Sequence, residues 1–254
     1  SAVTAYYDAF GSDAPPCTYD DIPEAQTHVV WGANPAAAHP VLYRWILDSA
    51  CEKGSRLVVV DPVESETAAD ADRHVQPDPG TDLVLAQAVL AHVVETDAVD
   101  RAFVDDYTEG YGELVDSLPG VETAAATAGV SVDTVERLAE AFDAKTLLYW
   151  GMGVNQSTHG TGAARMLINI CLATGNVGPG TGPFSLTGQA NSMGARVCAS
   201  KGTWPGHRAF DDDDHRKAVA EAWDVPLNRL PADAGPGPVG IVDAINRGHI
   251  DACW

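Results

Sequence analysis

The sequence predicts an α/β protein, with parallel-sheet layers that carry helices on both faces and two related halves. Three observations predict it. Short, fully apolar runs such as Arg56–Val60 read as strands buried on both faces of a parallel sheet. Stretches with apolar residues at helical spacing alternate with these runs, so each strand and its following helix form a right-handed parallel unit. Two strand ends, VVWGANP at 29–35 and LLYWGMGVNQ at 147–156, share one pattern: an apolar run that closes on Trp and Gly, with an Asn shortly after. That likeness divides the chain near residue 144.

Residues 2–10 carry helix-compatible spacing and stop at Gly11, and 12–23, with Pro15, Pro16 and Asp20, read as a loop. A strand follows at 28–31. Gly32, Asn34 and Pro35 then make a turn. A helix is expected over 40–52, because Pro40 suits the first turn, where a missing N–H costs nothing, and Gly54 closes the far end. After strand 56–60, Asp61 and Pro62 make a second turn, 65–72 are small and acidic, and 74–76 form a short strand.

Thr81 or Asp82 caps the next helix, whose Leu85, Val89, Leu90 and Val93 recur at helical spacing. Residues 97–128 read as mixed helix and loop, punctuated by Gly110, Gly112 and Gly120. Ser131 caps a helix that runs to Phe142, with Val135, Leu138 and Ala139 on one face. Strand 146–150 follows and stops at Gly151 and Gly153. Gly180, Gly182, Gly188 and Gly194 are too many and too irregular for a strand or helix, so that region reads as a loop folded closely against something. Asp211–Asp214 read as a solvated loop before helix 215–223, since four adjacent carboxylates splay apart and lack the spacing of a calcium loop. Residues 231–238 form a surface connection, 241–245 begin a helix, and a last strand starts at 252–254.

Composition narrows the function. With 254 residues and 45% apolar content the chain can bury a sizeable core. No apolar run reaches the roughly 18 residues of a spanning helix; 84–94 is interrupted by Gln87 and His92. The formal charge is −21, from 36 acidic against 15 basic residues, so nucleic acid and anionic membrane are excluded as partners for want of a basic face. Lys occurs only at 53, 145, 201 and 217. Acid spread along the chain with so little Lys reads as a protein of high salt, where dense carboxylates keep the surface hydrated. The five cysteines contain no CxxC pair, which leaves no readable disulfide, zinc or iron–sulfur set. The opening at Ser1, with no Met and no leader-like segment, reads as that of an internal fragment.

The stretch from Tyr149 to Arg196 organises the rest. A strand, a tight turn and a helix start would present backbone N–H groups and a positive helix end above the strand's carboxyl end, which suits an anionic ligand. Gln156 can add a donor and an acceptor to a heterocycle edge. The residues GMGVNQSTHG followed by GTGPFSLTGQANSMGAR resemble the molybdopterin-dependent nitrate reductases, of the assimilatory and periplasmic type, within the dimethyl-sulfoxide-reductase superfamily.

That resemblance implies reduction of nitrate to nitrite by oxygen-atom transfer at a bis-molybdopterin guanine dinucleotide centre with molybdenum. Rossmann-like domain 1–144 would hold one dinucleotide and 145–254 would form a second, incomplete binding region. Carried over residue by residue, the cofactor contacts are Gly32 and Asn34, Asp61 and Pro62, Gly80, Thr81 and Asp82, and Met152, Gly153 and Gln156. Arg196 matches the arginine placed beside the metal, with a fork of donors for a small planar anion, and Met152 lines the same pocket. The chain has Val63 and Glu64 where the family carries basic residues after its Asp-Pro pair, so phosphate contacts there rest on backbone amides. No metal ligand lies in the chain. The family's 4Fe-4S cysteines belong to a preceding domain, and its molybdenum-ligating cysteine falls just before Ser1. The implied partners are nitrate and an electron donor such as ferredoxin or another redox protein, in the cytoplasm.

Rival readings are a nicotinamide dehydrogenase, which lacks its GxGxxG here, a formate dehydrogenase of the same superfamily, and a scaffold subunit that keeps the fold without the metal.

Overall fold

The three apolar runs form the middle of a five-stranded sheet in which every pairing is parallel. The computed structural model describes residues 1–189, 191–198 and 202–253. The strands are β1 (Thr27–Trp31), β2 (Arg56–Val60), β3 (Arg73–Val75), β4 (Thr146–Trp150) and β5 (Gly182–Ser185), in the order β3-β2-β1-β4-β5. The central pair, β1 and β4, is buried along its whole length, as continuous apolar runs require. Trp31 stands level with Val60 on one side and Trp150 on the other.

Helices cover both faces. In chain order they are α1 (Ala2–Phe10), α2 (Pro35–Ala38), α3 (Pro40–Lys53), α4 (Glu66–Ala69), α5 (Asp82–Glu95), α6 (Arg101–Tyr107), α7 (Tyr111–Asp116), α8 (Val121–Thr127), α9 (Val132–Ala139), α10 (Met152–Asn155) and α11 (Gly160–Ala173). Side chains alternate across a strand. Val29, Trp31, Leu148 and Trp150 therefore pack with α1, α5 and α11, while Val30, Leu147 and Tyr149 pack with Leu42, Tyr43 and Ile46 of α3.

The local signals act as read at several ends. Gly11 and Gly54 close α1 and α3 in the left-handed conformation, and the Ser131 hydroxyl accepts the Thr134 N–H at 3.1 Å. Helix α9 ends at Ala139 and tightens into a 3-10 turn over 140–142, so the expected single helix to Phe142 is two elements. Several elements were unexpected, among them α4, within the small acidic stretch, and β5, within the glycine-rich region read as loop. Strand β5 tolerates Gly182 and Pro183 because it is an edge strand. Tyr6 of α1 supports it: its hydroxyl donates to Pro183 O at 3.3 Å and accepts the Ser185 N–H at 2.7 Å.

The halves expected on either side of residue 144 meet inside this one sheet, since β4 hydrogen-bonds directly to β1. By compactness the chain divides between Gly188 and Gln189. The second unit holds α12 (Ser192–Val197), α13 (Asp213–Trp223) and α14 (Pro238–Asn246); within it Trp204 stacks on Phe210 and meets Trp223 of α13 edge-on. The strand expected at 252–254 does not form among its described residues, and Trp254 lies outside them.

Candidate functional site

Because all five strands run the same way, the turns at their carboxyl ends share one rim. A cavity of about 350 Å³ opens there, between the ends of β1 and β4. This is where the strand order reverses direction, the point at which open α/β sheets leave a crevice. Gly32, Asn34, Asp61, Met152, Gly153 and Leu186 are among the lining residues, contributed by the turns after β1, β2, β4 and β5.

The glycines have a structural cause. Gly32 adopts a positive φ of 55° and donates its N–H to Val60 O at 2.8 Å. Its carbonyl accepts the Gly153 N–H at 3.0 Å, and Gly151 donates to Trp31 O at 3.3 Å. A Cβ on Gly153 would lie 2.7 Å from Gly32 O, and one on Gly151 would lie 2.8 Å from the Ala33 Cβ. The two central turns thus dock backbone on backbone, which only glycine allows. This corrects one expectation: the Gly153 amide is engaged within the fold, and the long helix α11 begins at Gly160, beyond the turn after β4, so that turn does not lead straight into a long helix.

Asn34 and Asp61 bring the polar side chains. The Asn34 Oδ1 accepts the Thr67 hydroxyl at 2.7 Å and the Thr67 N–H at 3.4 Å. Asp61 closes its own turn, with Oδ1 accepting the Val63 N–H at 2.9 Å. His74 Nε2 bonds Asp61 O at 2.8 Å, and the Asp61 N–H donates to Val75 O at 3.0 Å, so β3 holds this turn in place. Met152, half-buried, supplies an apolar wall.

Other expected residues stand outside the cavity. Asp82, at the start of α5, accepts the Trp31 indole N–H at 3.0 Å, and burial raises its carboxyl above the usual range. Trp150 repeats the device, donating to Asn155 Oδ1 at 3.3 Å. Thr81 donates its hydroxyl to Asp78 O at 2.7 Å rather than capping α5 by its side chain. Pro62, Gly80 and Gln156 are exposed and do not line the cavity. Arg196 lies in α12 of the second unit, half-buried, with Nη1 donating to Ser192 Oγ at 3.4 Å.

The described lining includes one carboxylate and no Lys or Arg, apart from His39, whose Nε2 bonds Thr187 O at 3.0 Å. An amide and a carboxylate set close to glycine backbone fit the donor and acceptor edge of an amino-pyrimidinone ring, common to pterin and guanine, better than they fit a phosphate. No group of His, Cys, Asp or Glu among the described residues could hold a metal ion. Asp212 of the acidic run is the cap of α13, accepting the N–H groups of Asp214 at 2.9 Å and His215 at 3.1 Å.

Sequence reasoning missed His39, Thr67 and Leu186. Leu186 sits within the GTGPFSLTGQ motif and His39 just before the Pro40 start of α3, so both lay beside signals that were read. Thr67 follows the capping Ser65, which accepts the Ala68 N–H at 3.3 Å, but its reach back to Asn34 is a long-range contact with no local sign.

The molybdopterin oxidoreductase family profile matches residues 4–251. The chain is 68% identical to the assimilatory nitrate reductase of Haloferax mediterranei over 244 residues, covering 96% of this chain and 34% of that protein. It is 37% identical to a nitrate reductase of Synechocystis, covering 92% of this chain and 34% of that one. The chain therefore spans about a third of the length of these relatives. Acetylene hydratase from Pelobacter acetylenicus has a similar fold, with a TM-score of 0.65 over 71% of this chain and 25% of the other, at 19% identity.

Proposed function

This chain belongs to the molybdopterin oxidoreductase family, and we infer that it is part of the catalytic subunit of a molybdenum nitrate reductase that reduces nitrate to nitrite. The observation that carries the reading is the match to an assimilatory nitrate reductase along nearly the whole chain. The family implies a molybdopterin cofactor with molybdenum. A pair of guanine dinucleotides on the metal, and a 4Fe-4S cluster held by residues outside this chain, are the finer form we propose.

When bound, the cofactor supplies the two-electron oxygen-atom transfer; the chain binds and orients. Asp61 would accept from a ring N–H or amino group and Asn34 would donate to a ring carbonyl or an anionic oxygen. Met152 keeps water from the cavity wall. Gly32 and Gly153 let ligand and backbone approach closely. Asp82 holds the Trp31 ring that floors the turn after β1, a second duty beside the contact proposed for it. Pro62, Gly80, Thr81 and Gln156 would meet outer parts of the nucleotide. Arg196 would attract nitrate and fix its plane with two parallel N–H donors. Nitrate and a cytoplasmic electron donor such as ferredoxin complete the proposed partners.

The test uses the full-length parent. Molybdenum per chain is measured, and nitrate and formate are assayed with a reduced dye. Nitrate turnover with bound molybdenum is expected; metal-free protein would favour the scaffold reading, and formate turnover the dehydrogenase. Arg196→Ala should lower nitrate turnover by about 100-fold or more, as loss of a charged transition-state contact does, with metal content unchanged. Unaltered turnover would remove Arg196 from the site.

A further inference from the structure

We propose that Thr67 is a positioning residue for the cofactor site: it locks the Asn34 amide so that Nδ2, and not Oδ1, is offered to the cavity. The inference rests on the reading of this cavity as the cofactor site. Thr67 is fully buried in the short helix α4, on the connection after β2, whereas Asn34 belongs to the turn after β1. Its hydroxyl accepts the Ala36 N–H at 3.1 Å and donates to Asn34 Oδ1 at 2.7 Å.

The Thr67 backbone N–H points at the same Asn34 atom, at 3.4 Å. A backbone N–H can only donate, so an amide turned the other way would set two donors against each other. The orientation is therefore decided by Thr67 and α4. Asn34 lines the cavity and is half-buried, and among the described residues its Nδ2 has no partner. Its two N–H groups select a hydrogen-bond acceptor on the ligand, an anionic oxygen or a ring carbonyl, at the mouth of the switch point. With the Asp61 carboxylate also in the lining, the cavity offers a donor and an acceptor to a ligand.

The test follows the rate at which bound pterin leaves the purified full-length enzyme at fixed temperature, detected by pterin fluorescence, with molybdenum per chain as a second measure. Asn34→Ala and Thr67→Val should each speed the loss about three- to tenfold, the range of one hydrogen bond. Thr67→Ser keeps the hydroxyl and should behave as wild type. Thr67→Val combined with Asn34→Ala should lose pterin no faster than Asn34→Ala alone. Additive effects, or a Thr67→Val rate equal to wild type, would overturn the inference.

Should Thr67→Val fail to fold, Asn34→Asp decides. It keeps an acceptor for Thr67 but replaces the offered NH2 with an anionic oxygen, and is expected to release pterin faster than Asn34→Ala. Wild-type retention in Asn34→Asp would refute the donor role. Wild-type enzyme that carries neither pterin nor molybdenum would instead refute the cofactor reading itself, and this inference with it.

Discussion

His28 shows how much a single side chain can owe to burial. It lies at the amino end of β1, away from the cavity, with Nδ1 bonded to the Tyr149 hydroxyl at 3.2 Å and a buried Nε2 that has no partner among the described residues. Burial pushes its pKa down from 6.5 to about 4. The unfolded chain therefore takes up a proton near pH 6.5, and the folded chain does not until about pH 4. The stability is complete above the unfolded value and falls as pH drops through this window, by up to ~3 kcal/mol. Urea melts of the full-length protein at pH 7.5 and 4.5 should show a steeper loss for wild type than for His28→Gln, which cannot titrate. Equal losses would rule out His28 as the source. Nothing in the sequence around His28 marks it as neutral and buried; it was read only as part of a strand.

Among elements, the decisive contact is the docking of the turn after β1 onto the turn after β4. Gly153→Ala would push a methyl to 2.7 Å from Gly32 O, a backbone atom that cannot swing away. The turns must separate, at about 1–3 kcal/mol by the usual scale for overpacking. Thermal melting should shift down and pterin loss should quicken together, because the same two turns build the cavity wall. An unchanged melt would show that the turns relax freely. The two similar strand ends were legible in the sequence as a repeated Trp-Gly pattern, and they are in fact neighbours, with Trp31 level with Trp150. Their contact was not legible. Strand β5 escaped notice for a related reason: Gly182-Pro183 has no strand propensity, and pairing to β4 overrides it.

For the whole molecule, charge dominates. Against −21, the ion pairs visible in the structure are mostly exposed and local, such as Arg44 with Asp48 and Arg137 with Asp133. Exposed pairs of that kind are screened by water and contribute little, which leaves the carboxylate repulsion largely uncompensated. In ~0.01 M salt that repulsion acts over about 30 Å, whereas in ~1 M salt it is screened within about 3 Å. The protein should melt lower, or aggregate, on dialysis from molar KCl into dilute buffer. A melting temperature independent of salt would remove the high-salt reading.

Apolar runs, caps and glycine stops are local, and they suffice to read a parallel α/β protein, to place its central strands at 28–31, 56–60 and 146–150, and to show which family it resembles. Which residues meet is a long-range matter. It takes the folded chain to show that Gly32, Asn34, Asp61, Met152 and Gly153 share one cavity while Pro62, Gly80 and Gln156 do not, that Thr67 reaches Asn34, and that the compact units part after Gly188. The physical reason is that strand order, unlike strand identity, is set by how the crossovers pack their apolar faces, and no short window of sequence carries that information.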